Sequence, residues 1–183
     1  MQGVTVAFKE WALVCAALGE GCQSVILRKG GIAEGRDGFR FTHENFLLFP
    51  TYFHGQRSKL KGMRGIEKEP QFSGQHVLQL LVKVEWLRTL TEWDEVQRLE
   101  AFHCWTEETV RERFLYEDAG RLHVAFVRVY RLKDDVILED LPRYGGCRSW
   151  VDLPNQIDVQ HCVPVLDAQV HEERKAAFLR LFS

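Results

Sequence analysis

Apolar and polar positions along the chain switch between two periods. Phe8, Trp11, Cys15 and Leu18 recur at three- and four-residue spacing with Lys9 and Glu10 on another side, which predicts a helix over residues 8–18. Gly19 and Gly21 follow, and glycine accepts the left-handed conformation that ends a helix. Residues 23–29 alternate instead: Ser24, Ile26 and Arg28 share one face and Val25, Leu27 and Lys29 the other, the period of a strand, closed by Gly30-Gly31. Residues 45–49 form a short apolar run ended by Pro50, which predicts a buried strand. The Val- and Leu-rich stretches 77–87 and 122–132 predict two more strands, and residues 148–153 a further short one after the Gly145-Gly146 turn. Residues 94–99 and 107–114 read as short helices, the second with Thr106 as N-cap and Glu107 and Glu108 at its positive end. A closing helix over 167–182 places Val170, Ala177, Phe178 and Leu181 on one side. Residues 32–43 predict an exposed hairpin or loop, 52–60 a turn or short helix, and the polar stretch 61–73, holding Gly62, Gly65 and Pro70, a mobile loop.

Strands in this order do not alternate with long helices, so a doubly wound parallel sheet is disfavoured. The pattern predicts an α+β fold: a small mixed β-barrel with N-terminal and C-terminal helices packed on it, one domain over 1–183. No segment approaches the roughly 20 apolar residues of a membrane span. The apolar run 11–18 also lacks the basic flank and cleavage site of a signal peptide, so the expected location is the cytoplasm, with no membrane partner. Five widely spaced cysteines without a CxxC pair predict reduced thiols packed as small hydrophobes, neither a disulfide framework nor a zinc knuckle.

Charge sharpens the picture. Residues 26–66 carry eight basic and three acidic side chains, whereas residues 85–118 carry four basic and ten acidic ones. Such asymmetry suits an anion-binding face beside a solvating one, or two solvated surfaces.

Within the helix–turn–strand opening, Gly21-Cys22-Gln23-Ser24-Val25-Ile26-Leu27-Arg28 resembles the G-x-K-x-x-E-x-R strand of the ASCH branch of the PUA-like superfamily. Gly21 and Arg28 match; Gln23 and Ile26 stand where the Lys and Glu would be, and Trp11 lies at the place of the preceding helical Trp. The resemblance implies a PUA-like barrel that binds RNA or modified nucleic acid near that strand. It also implies the loss of the nucleobase hydrolysis that some relatives carry out with the Lys and Glu. The whole chain also resembles a bacterial domain family of unknown function, through Leu27-Arg28-Lys29-Gly30-Gly31-Ile32, Phe46-Leu47-Leu48-Phe49-Pro50-Thr51-Tyr52 and Gly145-Gly146-Cys147-Arg148-Ser149-Trp150. Some of its members are joined to a restriction-endonuclease-type domain, which implies a DNA restriction or repair context and a nuclease-type partner.

Three constellations carry candidate chemistry. Arg28 and Lys29 precede two glycines whose freed amides suit a phosphate, against an ordinary charged strand end. The run 49–54 clusters aromatics and His54 before Arg57, Lys59 and Lys61, which suits bases stacked on rings and phosphates held by cations, against core Phe residues and a solvated turn. The Gly145–Trp150 turn offers Arg148 and Trp150 to a ligand, or is structural, with Cys147 buried. The expected module is therefore a nucleic-acid binder in which Arg28, Lys29, Arg57, Lys59 and Lys61 contact phosphate, Tyr52 and Trp150 stack, and Thr51, His54 and Arg148 read polar edges. No catalytic residue, metal or cofactor is assigned, since no P-loop, GxSxG, HExxH or dinucleotide fingerprint is present. The alternatives are a small hydrolase built on His43, Glu44, His54 or Cys147, and a scaffold or regulatory protein whose acidic half binds a partner.

Overall fold

A computed structural model describes residues 3–29, 40–62, 66, 70–146 and 148–183. In chain order the elements are β1 (Val4–Trp11), α1 (Ala12–Gly19), β2 (Val25–Lys29), β3 (Asn45–Thr51), β4 (Gln75–Leu90), α2 (Trp93–Gln97), α3 (Glu107–Phe114), β5 (Leu122–Glu139), β6 (Trp150–Ile157), β7 (Val163–Pro164) and α4 (Ala168–Leu179). Single 3-10 turns follow β3, α2, α3, β5 and α4. The class is α+β, as the pattern predicts. Among the described residues no helix is long and apolar enough to cross a membrane.

The strands build one sheet in the order β2-β5-β4-β3-β1-β6, with β7 attached to β5. β1 and β3 are parallel, and the other pairs among the described residues are antiparallel. Alternation splits the core between the two faces. Phe8, Phe46, Ile26 and Phe126 meet α1, α3 and α4 through Leu13, Leu18, Phe114 and Phe178 on one side. Ala7, Leu47 and Leu81 meet Tyr144, Leu153 and Val159 on the other.

Three expectations are corrected. Among the described residues the barrel does not close: β6 pairs with β1 alone and β2 with β5 alone. Side chains occupy the seam instead. Arg28 of β2 donates to the Lys9 carbonyl at 3.0 Å and to Ser149 Oγ at 2.8 Å, while Lys9 N donates to the Ser149 carbonyl at 2.8 Å. On α3, Arg113 donates to the Leu27 carbonyl at 2.8 Å, which ties α3 to the backbone of β2. The predicted helix over 8–18 is half strand. β1 lies between β3 and β6 with both faces covered, so the two-residue alternation that would betray a strand is absent from it. β4 and β5 extend well past their predicted ends because each supplies the other's hydrogen-bond partners, down to Gln75 opposite Glu139. The predicted hairpin over 32–43 falls largely, and the 61–73 loop partly, outside the described residues.

α4 closes the helical side. Asp167 caps it by accepting from Val170 N at 2.9 Å. Phe178 packs on Trp86 and Phe126, and Glu85 of β4 receives His171 at 3.0 Å and Lys175 at 2.9 Å.

Candidate nucleic-acid interface

β1 and β3 end side by side, with Glu10 opposite Pro50 and Trp11 opposite Thr51. The carboxyl ends of parallel strands are where open α/β sheets most often place a ligand. β4 pairs with β3 only as far as Leu47, so among the described residues Pro50 sits where the strand has a single neighbour and its missing N–H is tolerated. Thr51 Oγ1 donates to the Glu10 carbonyl at 3.1 Å. Gln56, buried, donates to the Thr51 carbonyl at 2.7 Å and accepts from Leu13 N, at the start of α1, at 3.2 Å. Residues 52–55 thus form an arch pinned at both feet, and Gly55 supplies the left-handed backbone, φ +90°, that turns it.

The arch presents three rings. Tyr52, Phe53 and His54 face Pro70, Gln71 and Phe72 across an open pocket of about 440 Å³. Tyr52 and Phe72 stand 5.5 Å apart, and Phe53 meets Trp11 edge-on at 4.5 Å. Phe53 and Phe72 are 44% and 41% exposed, unusual for side chains with this much apolar surface. Tyr52 also borders a second pocket of about 230 Å³ along α1, with Arg131 at its side, so the two form one trough. Behind Phe72 lies His76, whose ring is 5.1 Å away and whose Nε2 meets Asp140 at 3.1 Å.

Electrostatics disqualify the local thiol as a nucleophile. Burial, then the nearby Glu10 charge, hold the Cys15 thiol well above its ordinary value, so it stays protonated. Burial and then Cys15 raise the Tyr52 phenol, which stays a donor. Burial above all, then Lys61, push His103 down to about 4; its Nδ1 accepts from Trp105 N at 3.1 Å.

The structure gathers Tyr52 and His54 at this pocket; Thr51, at the end of β3, turns its hydroxyl to the Glu10 carbonyl, and Arg57 and Lys59 lie on the turn that follows. Several of the predicted cations have intramolecular partners. Arg57 donates to the Ile66 carbonyl at 2.9 Å, Lys59 meets Glu112 at 2.9 Å, and Lys61 meets Glu100 at 3.2 Å. The basic segment is therefore partly neutralised by the acidic one. Arg28 spans the seam and lies 4.6 Å over the Phe8 ring, and Lys29 Nζ is 3.4 Å over Tyr116. Trp150 packs on Phe8 and Phe46 and is capped by His43 at 4.8 Å, an arrangement that makes it a core ring with one open edge. Arg148 is exposed, and Cys147 lies outside the described residues. No hydrogen bond joins any two of His43, Glu44 and His54 among the described residues, so the hydrolase grouping lacks its geometry there.

Residue types alone missed a second polar group beneath the arch: Glu10, Trp105 and Arg113. Glu10 is 1% exposed and Arg113 9%. Burial lowers Arg113 to about 10, with Glu10 working against the fall and Arg28 adding to it. The available signal was the Lys9-Glu10 dipeptide inside an apolar run, which the helical reading placed on an outer side.

The family described as a domain of unknown function, DUF1802, matches residues 7–177. The chain belongs to the DUF1802 family. No curated protein matches it. Among solved structures, the ASCH protein of Zymomonas mobilis is similar, with a TM-score of 0.48 and 12% identity over 81% of this chain and 86% of that one. Two single-substitution variants of that protein align at TM-scores of 0.48 and 0.44, each at 12% identity, covering 81% of this chain and 88% of the other, and 70% of both.

Proposed function

We propose that this DUF1802 chain is a nucleic-acid-binding module that seats one unstacked base in the aromatic pocket at the end of β3. The Tyr52–Phe72 pair carries the proposal: a half-buried and an exposed ring, 5.5 Å apart on the lining of an open pocket, with exposed His54 and Phe53 beside them. Rings in water at such exposure are costly unless a planar apolar partner covers them. Every base offers such a face, and stacking on aromatic side chains contributes about 1–3 kcal/mol per base. Arg57 and Lys59 on the adjoining turn supply phosphate contacts, Lys59 by exchanging Glu112 for the ligand.

Fluorescence anisotropy with labelled single-stranded RNA and DNA tests this. Tyr52→Ala combined with Phe72→Ala is expected to weaken binding by about 10–100-fold while thermal stability stays near that of the unmodified chain. Equal affinity in the double variant, or no binding of either nucleic acid by the unmodified chain at low salt, rejects the module.

A further inference from the structure

Beneath the arch, two buried polar atoms have no hydrogen-bond partner among the described residues: Glu10 Oε2, an acceptor, and Trp105 Nε1, a donor. Their residues are 1% and 0% exposed. Each such atom carries the desolvation penalty of an unmade bond, and an occupant that supplies the complement of both would remove it. Trp11 joins them. Its amide donates to Glu10 Oε1 at 2.8 Å, and its ring meets Trp105 edge-on at 4.5 Å. Arg113 completes the group, 3.8 Å over Trp105 and 5.0 Å over Trp11, with Nη1 held by the Leu27 carbonyl. Outside this layer stands Phe53, 4.5 Å from Trp11, one of the rings of the proposed base pocket.

We propose that Glu10, Trp105 and Arg113 form the inner end of the base site and read a lactam edge, the adjacent N–H and C=O of uracil, hypoxanthine or guanine. This rests on the base-binding reading above. The carboxylate oxygen takes the ring N–H, a charge-assisted bond. The indole N–H and the guanidinium meet the carbonyl oxygen. Trp11 supplies a ring face between them. Adenine and cytosine put a bare ring nitrogen where the N–H would stand, which turns a lone pair toward the carboxylate, and adenine also leaves the guanidinium without an oxygen. A site built to pair polar groups rejects the ligand that leaves them unpaired more strongly than it rewards shape.

The test compares short single-stranded oligomers of uridine, inosine, adenosine and cytidine, and a uridine oligomer carrying N3-methyluridine. Uridine and inosine are expected to bind about 10-fold tighter than the other three in the unmodified protein. Glu10→Gln, which replaces the free acceptor with a donor, is expected to bring that ratio close to one. Equal affinity for uridine and N3-methyluridine oligomers assigns the unpaired atoms to a buried water and overturns the proposal, even where Tyr52 and Phe72 prove essential for binding. That comparison uses the unmodified chain, so it stands if Glu10→Gln fails to fold. Where no oligomer binds, the base-pocket reading falls on its own, and free uridine and N3-methyluridine are titrated against tryptophan fluorescence. Quenching by uridine alone then keeps the lactam site, and no quenching by either removes it.

Discussion

Arg28 Nη2 and Ser149 Oγ lie 2.8 Å apart across the seam at which the sheet could have closed into a barrel. The same guanidinium nitrogen holds the Lys9 carbonyl, so one side chain ties β2 to the approach of both β1 and β6. Arg28→Ala is expected to cost about 1–2 kcal/mol, since bonds from a charged donor exceed the usual net value but this one is half-buried. For a chain of this size that lowers the melting temperature by about 2–8 °C. An unchanged melting curve would remove the stabilising role of this tie.

Glu85 anchors the closing helix. Burial raises its pKa, but hydrogen bonds and charge from Lys175 and His171 outweigh that and hold it below its ordinary value. A carboxyl depressed on folding contributes stability above its unfolded pKa and loses it as pH falls through the folded one. Acid titration is therefore expected to release α4 early, with Trp86 fluorescence reporting it because Phe178 and Phe182 pack on that indole. Glu85→Gln should show weaker protection of α4 amides at neutral pH. If both proteins lose α4 signals at the same pH, the contact has no such role.

Thiol reactivity follows burial. Cys15 is buried with a raised pKa, and burial pushes Cys104 up to about 11, so both should resist alkylation at pH 8 until the chain unfolds. Cys22, half-buried, should react first of the three, as peptide mapping by mass spectrometry would show. Early labelling of Cys15 would mean that the trough beside α1 opens to solvent.

Thr106 caps α3 through Oγ1, which accepts from Thr109 N at 3.3 Å. Thr106→Ala is expected to cost about 1 kcal/mol in urea denaturation. Because the bond is long, a value near zero is the informative exception.

If the base pocket binds single strands, Arg57→Gln should reduce the slope of log affinity against log salt by about 1. A smaller affinity with an unchanged slope would point to lost packing of the Arg57–Ile66 contact.

The α3 cap and the β2 alternation were legible because each depends on neighbours in the chain. β1 was not, since a strand covered on both faces shows no alternation, and its Phe8 and Trp11 fit helical spacing equally well. Tyr52 and His54 stood out as aromatic and polar residues beside cations. Phe72 did not, nor did Glu10, Trp105 and Arg113, because their proximity comes from the parallel pairing of β1 with β3 and from α3 folding back over β2. The charge asymmetry was readable, but its outcome was not: Lys59 and Lys61 pair with Glu112 and Glu100, acids that belong to the opposite block.

That pairing has a consequence for selectivity. The carboxylates near α3 act as a tethered competitor, always present at high local concentration beside the lysines they hold. An incoming polyanion gains little by charge at these two lysines, because each phosphate placed on them only replaces a carboxylate already there. Heparin and duplex DNA should therefore be poor ligands for this surface, and discrimination passes from the number of negative charges to whatever the rings beside them can grip.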